Sequence, residues 1–476
     1  MSVPTQETFP IQDPNIALAI TACDSFEGQV LALMLSDYIQ KHHQKKPNDK
    51  GKPQPVAPQL LCLARDRAKC GALNMRANCK VVEISYDDPT TIAIALRGVQ
   101  TVILDPEIEP QRVDWANQMI DTMAQEKVLR CILISSIGTD DPNKDQLDRF
   151  RRVEDKVKGT IQRWTILREG FPFQALFYWI PMILDLGVLG MPIGPEIEFA
   201  PLDLRDLGHA LISVTFPLMG DSGEGGDHDH HVEVKGKGKA KDNQNDDGSS
   251  LIPPYMTPMD DTSRFDGQIY TLTGPETTVG PKLADELNRA LAPTPEEPCP
   301  SGSKDTVQQK KLHKDIVFKQ ITREEFRTYL LKLRNKVTTI EPAAHSSILT
   351  MPGIREFVRL FQYTSEATLG SSRSIMDTSV YAPLKEKRDK IGQGDAAWQS
   401  HDCNDPCDNP KDPKEKQPRL GVPNDTEIDL MTELMEYIGE NRATFQSGDL
   451  EKITGERGAN AKDFFEKHAR DFTPRY

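Results

Sequence analysis

Short apolar runs recur along the first two hundred residues, and each is separated from the next by enough chain for a helix. The runs at 16–21, 60–64, 81–84, 101–104, 131–135 and 164–167 predict six strands. The segment 28–40 repeats its apolar side chains at Val30, Leu31, Leu33, Met34 and Leu35, and predicts a helix. Helices are predicted in the same way over 113–123 and 149–158. Strands that alternate with helix-length segments build βαβ units, and these form a parallel sheet. Further along, 268–273 predicts a strand and 279–291 a helix, and 322–333, 354–363 and 427–438 predict more helices. Thr322 followed by Glu325 is a capping-box pattern, which fixes the start of the first of these three. The pattern therefore predicts an α/β fold: a doubly wound Rossmann-type parallel sheet with a smaller, mainly helical C-terminal lobe.

Four polar segments interrupt this order. They cover 41–58, 220–250, 293–311 and 370–421, and they are rich in Lys, Pro, Gly, Asp and Ser. Such segments bury too little apolar surface to offset the entropy of ordering, so each is expected to be a mobile insertion. The expected organisation is a Rossmann domain over 1–218 with an insertion at 41–58, and a disordered insertion over 219–264. The rest of the Rossmann sheet and the start of the lobe follow over 265–369. A second disordered insertion covers 370–421, and the helical lobe closes the chain over 422–476.

Composition narrows the picture further. The 476 residues are 37% hydrophobic, low for one large enzyme but suited to a folded unit carrying long loops. A formal charge of −14 opposes direct nucleic-acid binding, which calls for a basic field. Cys23, Cys62, Cys70, Cys79 and Cys131 lie in or beside apolar runs, as small buried thiols do. The most apolar stretch, 171–188, is broken by Pro172, Pro181 and Asp185, so no membrane span is expected. Scattered cysteines and the lack of a recognisable leader suggest the cytoplasm or nucleus. The group His228, His230 and His231, and that of His401, Cys403 and Cys407, lack the spacing of a zinc site, so no metal is expected.

The chemistry is concentrated after the first strand, in Thr21-Ala22-Cys23-Asp24-Ser25-Phe26-Glu27-Gly28. A dinucleotide loop wants three glycines here, for the turn, for the approach of the pyrophosphate and for helix packing. Only the last of them, Gly28, is present. Ala22 and Ser25 stand at the other two places, and Asp24 and Glu27 add acids to a turn that should face phosphate. Later segments follow in a recognisable order. Leu63-Ala64-Arg65-Asp66 ends the second strand, Ser85-Tyr86-Asp87-Asp88 follows the third, and Ile134-Ser135-Ser136 ends the fifth. After these come Trp164-Thr165-Ile166-Leu167-Arg168-Glu169-Gly170 and Tyr270-Thr271-Leu272-Thr273-Gly274-Pro275, and a closing helix pair over 450–465.

Taken together, these segments resemble the NmrA-like family, atypical short-chain dehydrogenase folds that include NAD(P)H:quinone reductases. The resemblance implies a dinucleotide site formed by Thr21, Ala22, Ser25, Phe26, Glu27, Gly28, Arg65, Asp87, Ser135 and Gly170. Arginine at the end of the second strand can pair with the 2′-phosphate of NADP, so NADP is the expected cofactor. The family's reductases use a lysine on the helix before the sixth strand. An ungapped count puts Asp155 there, and Lys156 lies one residue away, a turn of about 100°. Lys156 is the catalytic candidate, with a charged surface helix as its alternative. Three functions follow from the resemblance: a redox-responsive regulator or catalytically weak member, an NADPH-dependent reductase of a quinone or small carbonyl, and a ligand-free scaffold. The expected partners are a dinucleotide, a small molecule in the cleft under 169–174, and a protein bound through the C-terminal lobe.

Overall fold

Seven strands form one parallel sheet in a computed structural model, which describes residues 16–42, 59–216, 262–292, 315–340 and 423–472. The predicted helix at 354–363, the His/Cys groups, and nearly all of the four polar segments lie outside the described residues. In chain order the first half runs β1 (Ile16–Ile20), α1 (Phe26–His42), β2 (Gln59–Ala64), α2 (Gly71–Asn74), β3 (Cys79–Glu83), α3 (Pro89–Leu96), β4 (Thr101–Leu104) and α4 (Arg112–Gln125). It continues with β5 (Arg130–Ser136), α5 (Asp145–Thr160), β6 (Arg163–Glu169), α6 (Ile180–Leu186), β7 (Val188–Met191), β8 (Glu198–Phe199) and α7 (Leu204–Thr215). The remainder is β9 (Gln268–Leu272), β10 (Thr278–Val279), α8 (Gly280–Leu291), β11 (Val317–Gln320), α9 (Arg323–Ile340), α10 (Asp425–Gly439), α11 (Asp449–Thr454) and α12 (Ala461–His468).

The strand order is β3-β2-β1-β4-β5-β6-β9, with the direction of winding reversed between β1 and β4. That reversal is the switch point at which open α/β sheets hold ligands beyond the carboxyl ends of their strands. The central strands are apolar on both faces, as a sheet covered on both sides requires. One face carries Leu18, Ile20, Cys62 and Ile132 against α1 and α7. The other carries Ala19, Leu61, Val102 and Leu133 against α3, α4 and α5. A third core forms the lobe, where Trp179 stacks on Phe326 at 5.1 Å and Phe173 on Phe464 at 4.8 Å.

Helix starts follow the chain's own signals. Thr322 and Glu325 bond reciprocally at the start of α9, as the capping pattern predicts. Asn424 with Glu427 does the same for α10, and Asn460 with Asp463 for α12. Helix α5 is different. Its N-cap residue, Lys144, makes no side-chain cap. Glu433 of α10 supplies the cap instead, accepting from the Gln146 amide at 2.7 Å and the Leu147 amide at 3.4 Å. Lys144 in turn bonds Glu440 at 2.7 Å and Glu436 at 3.0 Å. Helix α10 is thus tied to the sheet domain next to the carboxyl end of β5.

Candidate functional site

The loop after β1 turns at Ala22, whose φ of 52° is left-handed and normally left to glycine. A β-carbon on Gly28 would stand 2.2 Å from the Ala22 carbonyl oxygen, so position 28 admits only glycine without backbone movement. The turn that a glycine-rich loop makes is therefore retained with one of its three glycines. Its donors are spent differently. Ser25 caps α1: its hydroxyl accepts from the Gly28 amide at 2.9 Å, occupying a donor of the helix start. Asp24 accepts from the backbone amides of Arg65 and Asp66 at 3.3 and 3.2 Å, stitching this loop to the end of β2.

Beside the loop is a cavity of about 450 Å³ at the carboxyl ends of β1, β4 and β6. Of the residues that resemblance assigned to a dinucleotide, Ala22, Ser25, Phe26, Glu27, Arg65 and Gly170 line it. Gly28, packed against Ala22, does not line it, and four further candidates lie elsewhere. Thr21 is buried and joins β1 to β4, its hydroxyl donating to the Asp105 carbonyl at 2.8 Å. Ser135 is buried on the far side of β5 and donates to Glu154 at 2.7 Å, and its neighbour Ser136 faces the cavity instead. Asp87 is exposed in a turn, where its amide bonds Ser85. Lys156 points away from the cavity and pairs with Asp121 on α4 at 2.6 Å. Asp155, at the family position, is exposed and pairs with Arg151 and Lys158, so neither residue of this pair lines the cavity. Glu154, on the inner face, is fully buried and holds Arg168 through two bonds of 2.8 Å.

Acids dominate the cavity wall. Asp24, Glu27, Asp105, Glu107, Glu109, Glu169 and Glu427 line it, against Arg65 and Lys69. Arg65 is paired with two carboxylates, with Nε 3.3 Å from Glu107, Nη2 3.0 Å from Glu109, and its guanidinium 5.0 Å above the Trp115 ring. Trp115 itself stacks on Tyr86 at 4.8 Å. A 2′-phosphate reaching Arg65 would have to displace two carboxylates. Burial pushes Glu27, Glu107 and Glu427 up to about 7. Asp105 and Glu169 are held well above the usual carboxylate range, first by burial and then by the charges of Glu27 and of each other's neighbourhood. One oxygen of Glu27 is buried with no hydrogen-bond partner among the described residues. Asp105 is only 7% exposed, and no described side chain pairs with its carboxylate.

The opposite wall is apolar. Phe26, Phe150, Phe171 and Tyr178 line it, together with Leu430, Met431 and Leu434 of α10. The Asn424 side chain donates to the Ile108 carbonyl at 2.8 Å and fixes the start of α10 over the mouth of the cavity. Sequence reasoning missed Asp105, Glu107, Glu109 and Glu427, and noted Glu169 only as part of its loop. The available signal was an acid after each of two predicted strands at the switch point, in Asp105-Pro106-Glu107 and Arg168-Glu169.

Comparison with known proteins agrees with the class. Residues 57–173 match the family described as NAD(P)H-binding. An NAD(P)H azoreductase of Xenophilus azovorans is 27% identical over 153 residues, 32% of this chain and 53% of that protein. The chain thus spans about half the length of that curated relative. A nucleoside-diphosphate-sugar epimerase of Staphylococcus aureus superposes with a TM-score of 0.51 at 11% identity, covering 95% of this chain and all of the other. The triphenylmethane reductase of a Citrobacter species, solved with NADP(H), gives 0.50 at 11% over the same shares. These likenesses establish a Rossmann-type fold with a segment of the NAD(P)H-binding kind. No described helix is long and apolar enough to cross a membrane.

The residues present do not fit a dinucleotide held in the manner of such folds. A pyrophosphate at the start of α1 would face Glu27, and a 2′-phosphate would meet an arginine already paired. At a surface-like dielectric each unscreened carboxylate–phosphate contact costs on the order of a few kcal/mol.

Proposed function

We propose that this chain is a non-catalytic or weakly catalytic relative of the NAD(P)H-binding reductases, and that it serves as a ligand-responsive regulator. The observation that carries this reading is the engagement of Arg65 by Glu107 and Glu109, in a cleft that sets seven acids against two cations. The reading is also supported by Lys156, the candidate for the reductases' lysine, which pairs with Asp121 and does not line the cleft.

The lobe supports a regulatory role. Helix α10 contributes Leu430, Met431 and Leu434 to the cavity, and through Glu433 it caps α5. A ligand that prefers one position of α10 shifts the lobe with it, and the free energy available is its differential affinity for the two positions. The lobe is also where we place the protein partner.

The test is an assay of NADPH oxidation by the full chain, with a quinone and with an azo dye as acceptors. The reading predicts no enzyme-dependent turnover with either. Saturable turnover would make the chain a reductase and overturn it.

A further inference from the structure

We infer that the cleft is a binding site for an organic cation, an aromatic or otherwise apolar molecule carrying a protonated amine. This rests on the reading that the cleft no longer serves a dinucleotide, and it names the class of ligand that replaces one.

Two independent observations converge. The first is Asp105. It lies at the carboxyl end of β4, lines the cavity, is 7% exposed, and has a carboxylate paired with no described side chain. A buried polar group without a partner is costly, and it keeps that cost only where a ligand or solvent meets it. Glu27 repeats the pattern from α1, with one carboxylate oxygen buried and unpartnered. A cation placed against these acids would favour their ionised forms, in which both only accept, and an ammonium offers three donors.

The second observation is the charge balance of the wall. Arg65 is neutralised by Glu107 and Glu109, and Lys69 is 4.0 Å from Asp66. Arg112 is buried, donates to the backbone carbonyls of Glu107 and Gln146, lies over the ring of Phe150, and does not itself line the cavity. Asp24 accepts from the Arg65 and Asp66 amides and Glu427 from the Asn424 amide, while the carboxyls of Asp105 and Glu169 form no side-chain ion pair among the described residues and are offset only through space, Asp105 by Arg112. Among the described residues no three acids, histidines or cysteines converge closely enough to hold a metal ion. The complement is a larger cation with its charge at one end.

The apolar wall supplies the rest of the specificity. Phe26 and Tyr178 line the cavity with aromatic surface that suits a cation and a hydrocarbon body, while the Phe150 ring already carries Arg112 at 4.3 Å. A cavity of about 450 Å³ falls in the range of small-molecule sites.

The experiment is isothermal titration of the full chain with naphthylmethylamine and with its neutral analogue naphthylmethanol. The amine is expected to bind at least about tenfold more tightly than the alcohol, and the Asp105→Asn variant to lose most of that difference. Glu27→Gln is the second variant, used if Asp105→Asn does not fold. It should reduce amine affinity while leaving the alcohol unchanged. Asp87→Asn, which removes an exposed acid outside the cleft, should change neither. Equal affinities for amine and alcohol, or no binding of either, would overturn the inference while leaving the non-catalytic reading intact. NADPH turnover in the assay above would overturn that reading instead.

Discussion

The Arg65 guanidinium lies 3.3 Å from Glu107 and 3.0 Å from Glu109, sealed against the Trp115 ring at 5.0 Å. In our proposal, the arginine that the sequence offers as a reader of NADP's 2′-phosphate serves instead as a counter-ion to these acids. Glu107 is 7% exposed, and burial raises its carboxyl to about 7 even with Arg65 beside it. Arg65→Ala should destabilise the fold by about 1–3 kcal/mol above neutral pH, because it leaves a buried carboxylate without its partner. The loss should shrink at about pH 5, where Glu107 is protonated in both proteins. Denaturant melts of the two proteins at both pH values check it. A loss that does not vary with pH would remove Glu107 from the explanation.

Glu27 should make the fold less stable as pH rises. Burial raises its folded-state value from 4.5 to about 7, and Asp105 and Glu169 face it across the cavity with Asp24 and Glu107 nearby. Between those two values the folded state binds more protons than the unfolded chain, so stability falls as pH climbs through the window and stays lost above it. Glu27→Gln removes this penalty. The variant should exceed the wild type by about 3 kcal/mol above neutral pH, and the gain should vanish near pH 4.5. Thermal melts across that range provide the readout.

The loop after β1 makes two opposite predictions. In Gly28→Ala the new methyl would meet the Ala22 carbonyl oxygen at 2.2 Å, and both sides of the clash are backbone. The expected loss is about 3 kcal/mol, as for other overpacked sites. Ala22 sits at φ 52°, so Ala22→Gly should relieve about 1 kcal/mol of left-handed strain. Urea denaturation of both variants decides the matter, and the account requires shifts of opposite sign.

Glu433 reaches from α10 to the first turn of α5, where it accepts from two backbone amides. Glu433→Ala should cost about 1 kcal/mol, the usual value of a lost N-cap. Because the same helix lines the cleft, hydrogen exchange should quicken at Leu430 and Met431 as well as at the start of α5. Faster exchange at α5 alone would mean that the two elements are not mechanically joined.

Much of the fold was legible in the sequence. Parallel strands buried on both faces are short apolar runs, and this chain spaces them by helix-length segments, so the sheet could be read in order. Thr322 and Glu325 marked the start of α9 because a capping box is local chemistry. The site was only partly legible. Gly28, Ala22 and Ser25 are fixed by their distance from β1, and they lie where spacing puts them. The acids of the cleft come from four separate stretches of chain, and only the strand order brings Glu27, Asp105 and Glu169 to one space. Helix α10 was visible as an amphipathic pattern, but its position over the cleft depends on tertiary contacts such as Glu433 with Gln146. Lys156 shows the limit of spacing arguments, since both it and Asp155, the two positions that spacing offered, carry ion pairs on the outer side of α5.

The most direct test of the account is a calorimetric titration of the full chain with NADPH and with NADP. Seven acids, an engaged Arg65 and a phosphate loop with one glycine predict no saturable heat for either cofactor through the micromolar range. Stoichiometric micromolar binding of NADPH, weakened by Arg65→Ala, would contradict it and restore the dinucleotide to this cleft.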